Sequence, residues 1–353
     1  MESGIYKATY EEDMALRRTP IMRWRLILVI VLVLVFPFFG SSYTLTLANQ
    51  IGIVSIAAIG LNILTGFTGQ ISLGTGAFMA VGAYTAGFLA AEIGMPWWLT
   101  IPFACLATAV VGGVFGIPSL RLKGLYLAIA TLAAQQIIQW AIVRSTFGTD
   151  ALVVPRISVF GTNLNKLKIG PVGGTDFWFY WIIYLFLAIT ILFTVNLFRT
   201  KIGRAFIAIR DQDVAAEVMG VNLFQYKLLS FAASSFIIGM AGALLAHYRG
   251  IVNYERFTIE ASIFYLAVII IGGLGSVSGS IMGAIFMTLL PAVLSNLGRS
   301  VGGTAPAVAR LIPFVQQAVF GITIIVFLIF EPEGLAKIWR NIKDYFRLWP
   351  FSY

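Results

Sequence analysis

Apolar stretches close to 20 residues long recur along the whole chain, separated by short polar or Gly-rich breaks. A helix needs about 20 residues to cross roughly 30 Å of hydrocarbon. By that measure the candidate spans are 21–39, 44–65, 75–92, 97–117, 125–142, 178–198, 227–248, 261–275, 280–297 and 313–330. The pattern predicts an all-α, polytopic transmembrane protein with about ten spans (8–10). Stretch 261–275 is short, so 261–297 reads either as two spans or as one broken helix. The polar remainder then falls into an N-terminal tail, 1–25, an outer loop, 143–177, an inner loop, 199–226, and a C-terminal tail, 333–353, around a membrane unit over 26–332. No A-x-A-like site follows the run 26–39, which is therefore expected to be a first anchor and not a cleaved signal.

Composition agrees with that pattern. The 353 residues are 59% hydrophobic and 11% charged, whereas a soluble domain is about 25% charged. The net charge of +9 would suggest nucleic acid in a soluble protein. Here its distribution gives topology instead. With an inner N-terminus, the inner segments carry twice as many Lys and Arg as the outer ones, as the positive-inside rule requires. Both termini are therefore expected in the cytoplasm, in a cytoplasmic (inner) membrane of bacterial type. No nucleic-acid partner is needed to explain the charge. Trp97, Trp98, Trp178 and Trp181 fall at span ends, where aromatic rings anchor at the headgroup level.

Candidate chemistry is sparse. The chain has one Cys and one His, too few for a disulfide framework or a His-based zinc site. It has no G-x-x-x-x-G-K-[ST] loop, so it does not cradle ATP in the P-loop manner. No Asp or Glu lies at a predicted midplane, and ion-coupled carriers use such groups or an ion cage of unwound backbone. The expectation is a transport subunit that is not itself an enzyme, holds no cofactor or metal, and takes its energy from a partner. A self-sufficient secondary carrier or channel is the alternative from another class.

Polar residues inside the apolar stretches include Asn62, Thr68, Gln70, Ser72, Thr131 and Gln135. They are candidates for a translocation path, with Gln70 and Ser72 set among glycines that permit a broken helix. The competing reading is hydrogen bonding between helices. Gly66-Phe67-Thr68-Gly69-Gln70-Ile71-Ser72 is also echoed by Gly272-Gly273-Leu274-Gly275-Ser276-Val277-Ser278, and transporter folds often carry internal repeats.

The inner loop contains Asp211, Gln212, Asp213, Val214, Ala215, Ala216, Glu217, Val218, Met219 and Gly220 in succession. Asp211 or Asp213 suits an N-cap, and Gly220 suits the left-handed residue after a helix. The prediction is a capped helix of about two turns. Ala215 and Ala216 would allow close approach, and Val218, Met219 and Glu217 would offer contacts to a soluble partner.

That segment, followed by Tyr226-Lys227-Leu228, resembles the cytoplasmic loop of ABC importer permeases, and more specifically of the permease subunits of branched-chain amino acid importers. Gly66 to Tyr84 is similar to an early Gly-rich signature of that family. Arg121 to Leu132 is similar to its mid-chain segment. Gly148 to Pro155 resembles the outer loop of the second, LivM-like subunit, and Gly272 to Gly279 its late inner turn. Thr75 stands where members often carry His, and Asp150-Ala151 where they often carry Asn-Gly. The resemblance implies a second, related permease subunit, two ATP-binding subunits that hold ATP and Mg inside, and an external solute-binding protein. It implies ATPase docking at Asp213, Ala215, Ala216, Glu217 and Gly220, and alternating-access import of branched-chain amino acids or related small polar solutes. Urea, short amides or other amino acids are the alternative cargo.

Overall fold

A computed structural model describes residues 20–119, 122, 124–145, 151–155, 158–159, 162–163, 174–302, 306–331 and 333–348. The described chain is nearly all helix. In order, the helices are α1 Pro20–Phe39, α2 Ser42–Asn62, α3 Thr75–Ala91, α4 Trp97–Ser119, α5 Leu125–Arg144, α6 Thr175–Arg199, α7 Lys201–Asp211, α8 Asp213–Val218, α9 Leu223–Arg249, α10 Ile259–Gly272, α11 Val277–Gly302, α12 Pro306–Phe330 and α13 Leu335–Leu348. A π-helical turn, Ile63–Phe67, extends α2. Four two-residue strands are described: β1 Leu152–Val153, β2 Ser158–Val159, β3 Thr162–Asn163 and β4 Ile251–Val252. β1 pairs antiparallel with β4, placing Leu152 opposite Val252. The outer loop is thus weakly β where it is described, as its β-branched residues suggest. Residues 148–150 of its 148–155 motif lie outside the described residues, as do Arg121 and Lys123 of the mid-chain motif.

Each of the ten predicted stretches falls on a helix, but their lengths differ. Among the described residues six helices are long and apolar enough to cross a membrane, or seven if the bent pair Phe314–Phe330 and Leu335–Tyr345 counts as one. α10, at 14 residues, rises only about 21 Å, short of the roughly 30 Å of hydrocarbon. Gly-rich sequence cuts it short at Gly272, as it delays the start of α3 to Thr75. Stretch 261–297 is two helices, not one. A methyl group on Gly283 would collide with the Val268 carbonyl, and one on Gly272 with Gly279. α10 and α11 therefore run antiparallel, backbone against backbone. The stretch read as a C-terminal tail carries α13, and α1 begins before the boundary drawn at residue 26.

Burial separates centre from rim. Over their most apolar stretches, Ser42–Phe67 is 83% buried and Leu223–Arg249 67%, but Thr175–Arg199 only 22%. α2, α3 and α9 form the middle, and small residues bring their backbones together. A methyl group on Gly82 would strike Gly239, and one on Gly242 would strike the Met79 carbonyl. Close approach of this kind is how helices pack where no hydrophobic effect drives them together. At the rim, Phe103, Leu106, Val110, Val114 and Ile117 of α4 are exposed at helical spacing, a stripe suited to lipid. Tyr248 donates to Asp176 at 2.9 Å, and Asn49 donates to the Asp176 carbonyl at 2.9 Å, joining α9, α6 and α2.

Candidate coupling site

α7 and α8 form the inner loop. α7 is amphipathic. Ala205, Phe206 and Ile209 turn inward, and Phe206 meets the Tyr226 ring edge-on at 6.5 Å. Gln212 adopts an extended conformation (φ −160°) and breaks the chain between α7 and α8. Asp211 ends α7 and Asp213 opens α8, so neither is the N-cap. That position belongs to Gln212, which makes no side-chain capping bond. Asp213 instead turns toward α9, with its carboxylate 3.5 Å from the Lys227 ammonium.

The other end of α8 closes as the sequence suggests. Gly220 has φ +87°. Val221 N–H donates to the Ala216 carbonyl at 3.0 Å and Gly220 N–H to that of Glu217 at 2.9 Å. This pair of bonds is the Schellman arrangement, which satisfies carbonyls a helix would otherwise leave unpaired. Asn222 then caps α9 by accepting from Gln225 N–H at 3.1 Å. Of the α8 side chains only Ala216 is buried. Ala215 and Glu217 are exposed, and Val214, Val218 and Met219 are 59%, 82% and 85% exposed. α8 therefore presents three apolar side chains and one carboxylate outward. Apolar groups gathered on a polar surface mark interaction sites.

Beside α8 lies the break between α2 and α3, where residues 68–74 are not helical. Thr68, Gln70, Ser72 and Gly74 of the break are buried, and a buried N–H or C=O left unpaired is costly. The polar residues singled out in the sequence satisfy such groups. Thr68 donates to the Ile63 carbonyl at 2.9 Å, Ser72 accepts from Gly74 N–H at 3.3 Å, and Thr131 of α5 accepts from Leu73 N–H at 2.9 Å. Gln135 accepts from Ala77 N–H at 2.7 Å and donates to the Phe257 carbonyl at 2.7 Å. Ser262 accepts from Gly76 N–H at 2.8 Å. Side chains from α5 and α10 thus cap the first turn of α3, whose leading N–H groups have no partners of their own. Gln70 donates to Ser230 Oγ of α9 at 2.8 Å.

Asn62 performs the same service for the second Gly-rich segment. Its Oδ1 accepts from Gly275 N–H at 2.9 Å, and its Nδ2 donates to the Ser276 carbonyl at 3.0 Å and to Ser280 Oγ at 2.7 Å. The two echoed segments are therefore packed together, with no room for a methyl group between Gly66 and Gly275. The two sets of candidate residues also meet. A cavity of about 280 Å³ is lined by Thr68 and Gln70 of the break, by Arg210 to Asp213 of the inner loop, and by Lys227. Lys227, Ser230, Ser262 and Ser280 pair with the candidate residues, and the sequence does not single them out as a site. Lys227 counts there as a topology charge and as part of the Tyr226-Lys227-Leu228 resemblance, and the serines look like any small polar residue in a membrane helix.

The family described as "Branched-chain amino acid transport system / permease component" matches residues 43–328. The high-affinity branched-chain amino acid transport system permease protein LivM of Escherichia coli is 30% identical over 335 residues, covering 89% of this chain and 75% of that protein. LivM of Salmonella typhimurium is 29% identical with the same coverage. A probable branched-chain amino acid transport permease protein, LivH, of Methanocaldococcus jannaschii is 24% identical over 82% of this chain and 90% of its own. No solved structure matches the chain significantly. The matched range takes in both Gly-rich segments and the whole inner loop, and the chain belongs to the branched-chain amino acid transport system permease family.

Proposed function

We propose that this chain is one of two related membrane subunits of an ABC importer, and that it moves branched-chain amino acids or related small polar solutes by alternating access. Two ATPase subunits on the cytoplasmic side would bind ATP and Mg, and an external solute-binding protein would deliver cargo. The observation that carries this reading is α8, a capped two-turn helix with Val214, Val218 and Met219 exposed, set beside a hydrogen-bonded break in the membrane bundle. Asp213, Ala215, Ala216, Glu217 and Gly220 would form the docking element. Glu217 supplies an outward charge, Ala215 and Ala216 permit close approach, and Gly220 fixes the exit angle.

The Lys and Arg distribution supports both termini cytoplasmic in a bacterial inner membrane, with about ten (8–10) crossings between them, 143–177 outside and 199–226 inside. Asn62, Thr68, Gln70, Ser72, Thr131 and Gln135 would act in translocation chiefly by holding the broken backbone open to rearrangement, and less by touching cargo. Their hydrogen bonds to neighbouring helices support that division. Urea or short amides are the competing cargo.

Assembly tests the proposal. The chain co-expressed with its partner subunits should co-purify with the ATPases, and Glu217→Arg should abolish that association while leaving membrane insertion intact. Association unchanged by the swap removes the docking role from α8.

A further inference from the structure

We infer that the Asp213–Lys227 ion pair is the strut that carries motion of α8 into the broken span. The inference rests on the docking role proposed for α8. An open pocket of about 280 Å³ lies between the inner loop and the break. Arg210 packs against Gly69 beside it, so contact and polar pairing both join the loop to the break. At the pocket's edge a polar chain runs without a gap. The Asp213 carboxylate lies 3.5 Å from Lys227 Nζ. Ser230 Oγ donates to the Lys227 carbonyl at 2.7 Å. Gln70 Nε2 donates to that same Ser230 Oγ at 2.8 Å.

Lys227 and Ser230 stand one turn apart on α9, so a pull on Lys227 moves the acceptor that holds Gln70. Lys227 is 8% exposed, and a charge that deep is held by its counter-charge. Gly69, beside Gln70, has φ +73°, so the segment being pulled is already the deformable part of the span. Lys227 and Asp213 are positioning residues in this account. They need not touch cargo or nucleotide.

The test uses the complete complex in proteoliposomes, measuring uptake per ATP hydrolysed alongside ATPase co-purification. K227M should leave co-purification at the wild-type level and lower uptake per ATP by about tenfold, the usual size of an energetic coupling. K227R should retain coupling, and the exchanged pair D213K with K227D should recover part of it. Q70L should uncouple similarly, and Q70L with K227M should be no worse than either alone, as expected for one shared route. Where K227M fails to insert, K227Q keeps a polar head, removes the charge and decides the matter. Wild-type uptake per ATP in K227M or K227Q overturns the strut, as does a double variant whose losses multiply. Failure of the wild-type chain to recruit ATPases overturns the docking role itself, a result the strut variants do not mimic.

Discussion

Gln135 shows how one side chain can hold a membrane fold. Its amide accepts from Ala77 N–H and donates to the Phe257 carbonyl, and it is fully buried. Gln135→Leu leaves both groups unpaired, at about 1–3 kcal/mol each. The expected result is a clear drop in the thermal unfolding midpoint of the purified protein in detergent, larger than that of an apolar change of similar size on the lipid-facing stripe, such as Leu106→Ala. Gly220 makes a separate point. At φ +87° with open space around it, Gly220→Val meets backbone strain and no clash. About 1–2 kcal/mol should fray α8 and weaken ATPase association without lowering the stability of the membrane bundle. The sequence marks Gln135 as out of place in an apolar helix, and that much is legible from composition. Its partners are not, because Ala77 and Phe257 contribute backbone atoms, which carry no residue-type signal.

The elements divide in the same way. The helices read well because a 20-residue apolar run has few alternatives in lipid. Their ends read poorly where glycine intervenes, as at α3 and α10, because glycine permits both a break and a close-packed helix. α8 is legible through its Gly220 exit. Its entry is not, since Asp213 is spent on Lys227 in place of a cap, and tertiary pairing overrides a local preference. α13 is hidden for a simpler reason. A 14-residue segment with Lys337, Arg340 and Lys343 looks like a solvated tail, yet its Trp339, Ile342 and Tyr345 make one exposed apolar face. Lys337 and Arg340 both reach Glu333, at 3.0 and 3.6 Å. At the element scale, a double change of Val218 and Met219 to Ser should weaken ATPase binding by about 2–4 kcal/mol if both side chains become buried in the complex. Titration calorimetry or a competition pull-down with the purified ATPase checks this, and unchanged affinity would mean that α8 docks through its charge alone.

At the scale of the whole molecule, topology and energy source are joined. Cys105 is the sole cysteine and is buried, so single cysteines can be placed on a Cys105→Ser background. Cysteines in place of Glu217 and Asp344 should react with a membrane-impermeant maleimide only from the cytoplasmic face, and one in place of Val153 only from the outside. The first Gly-rich segment and the second face each other across Asn62, and the inner loop abuts both through Arg210, which lies against Gly69 and Gly275. A push on that loop therefore reaches both Gly-rich segments. The most direct measurement is uptake of radiolabelled leucine into proteoliposomes holding the chain with its related permease, the ATPases and the binding protein, with each component and ATP omitted in turn. The account predicts uptake only when all are present, and none with a nonhydrolysable ATP analogue. Leucine uptake by the permease subunits alone, without ATP, would contradict it.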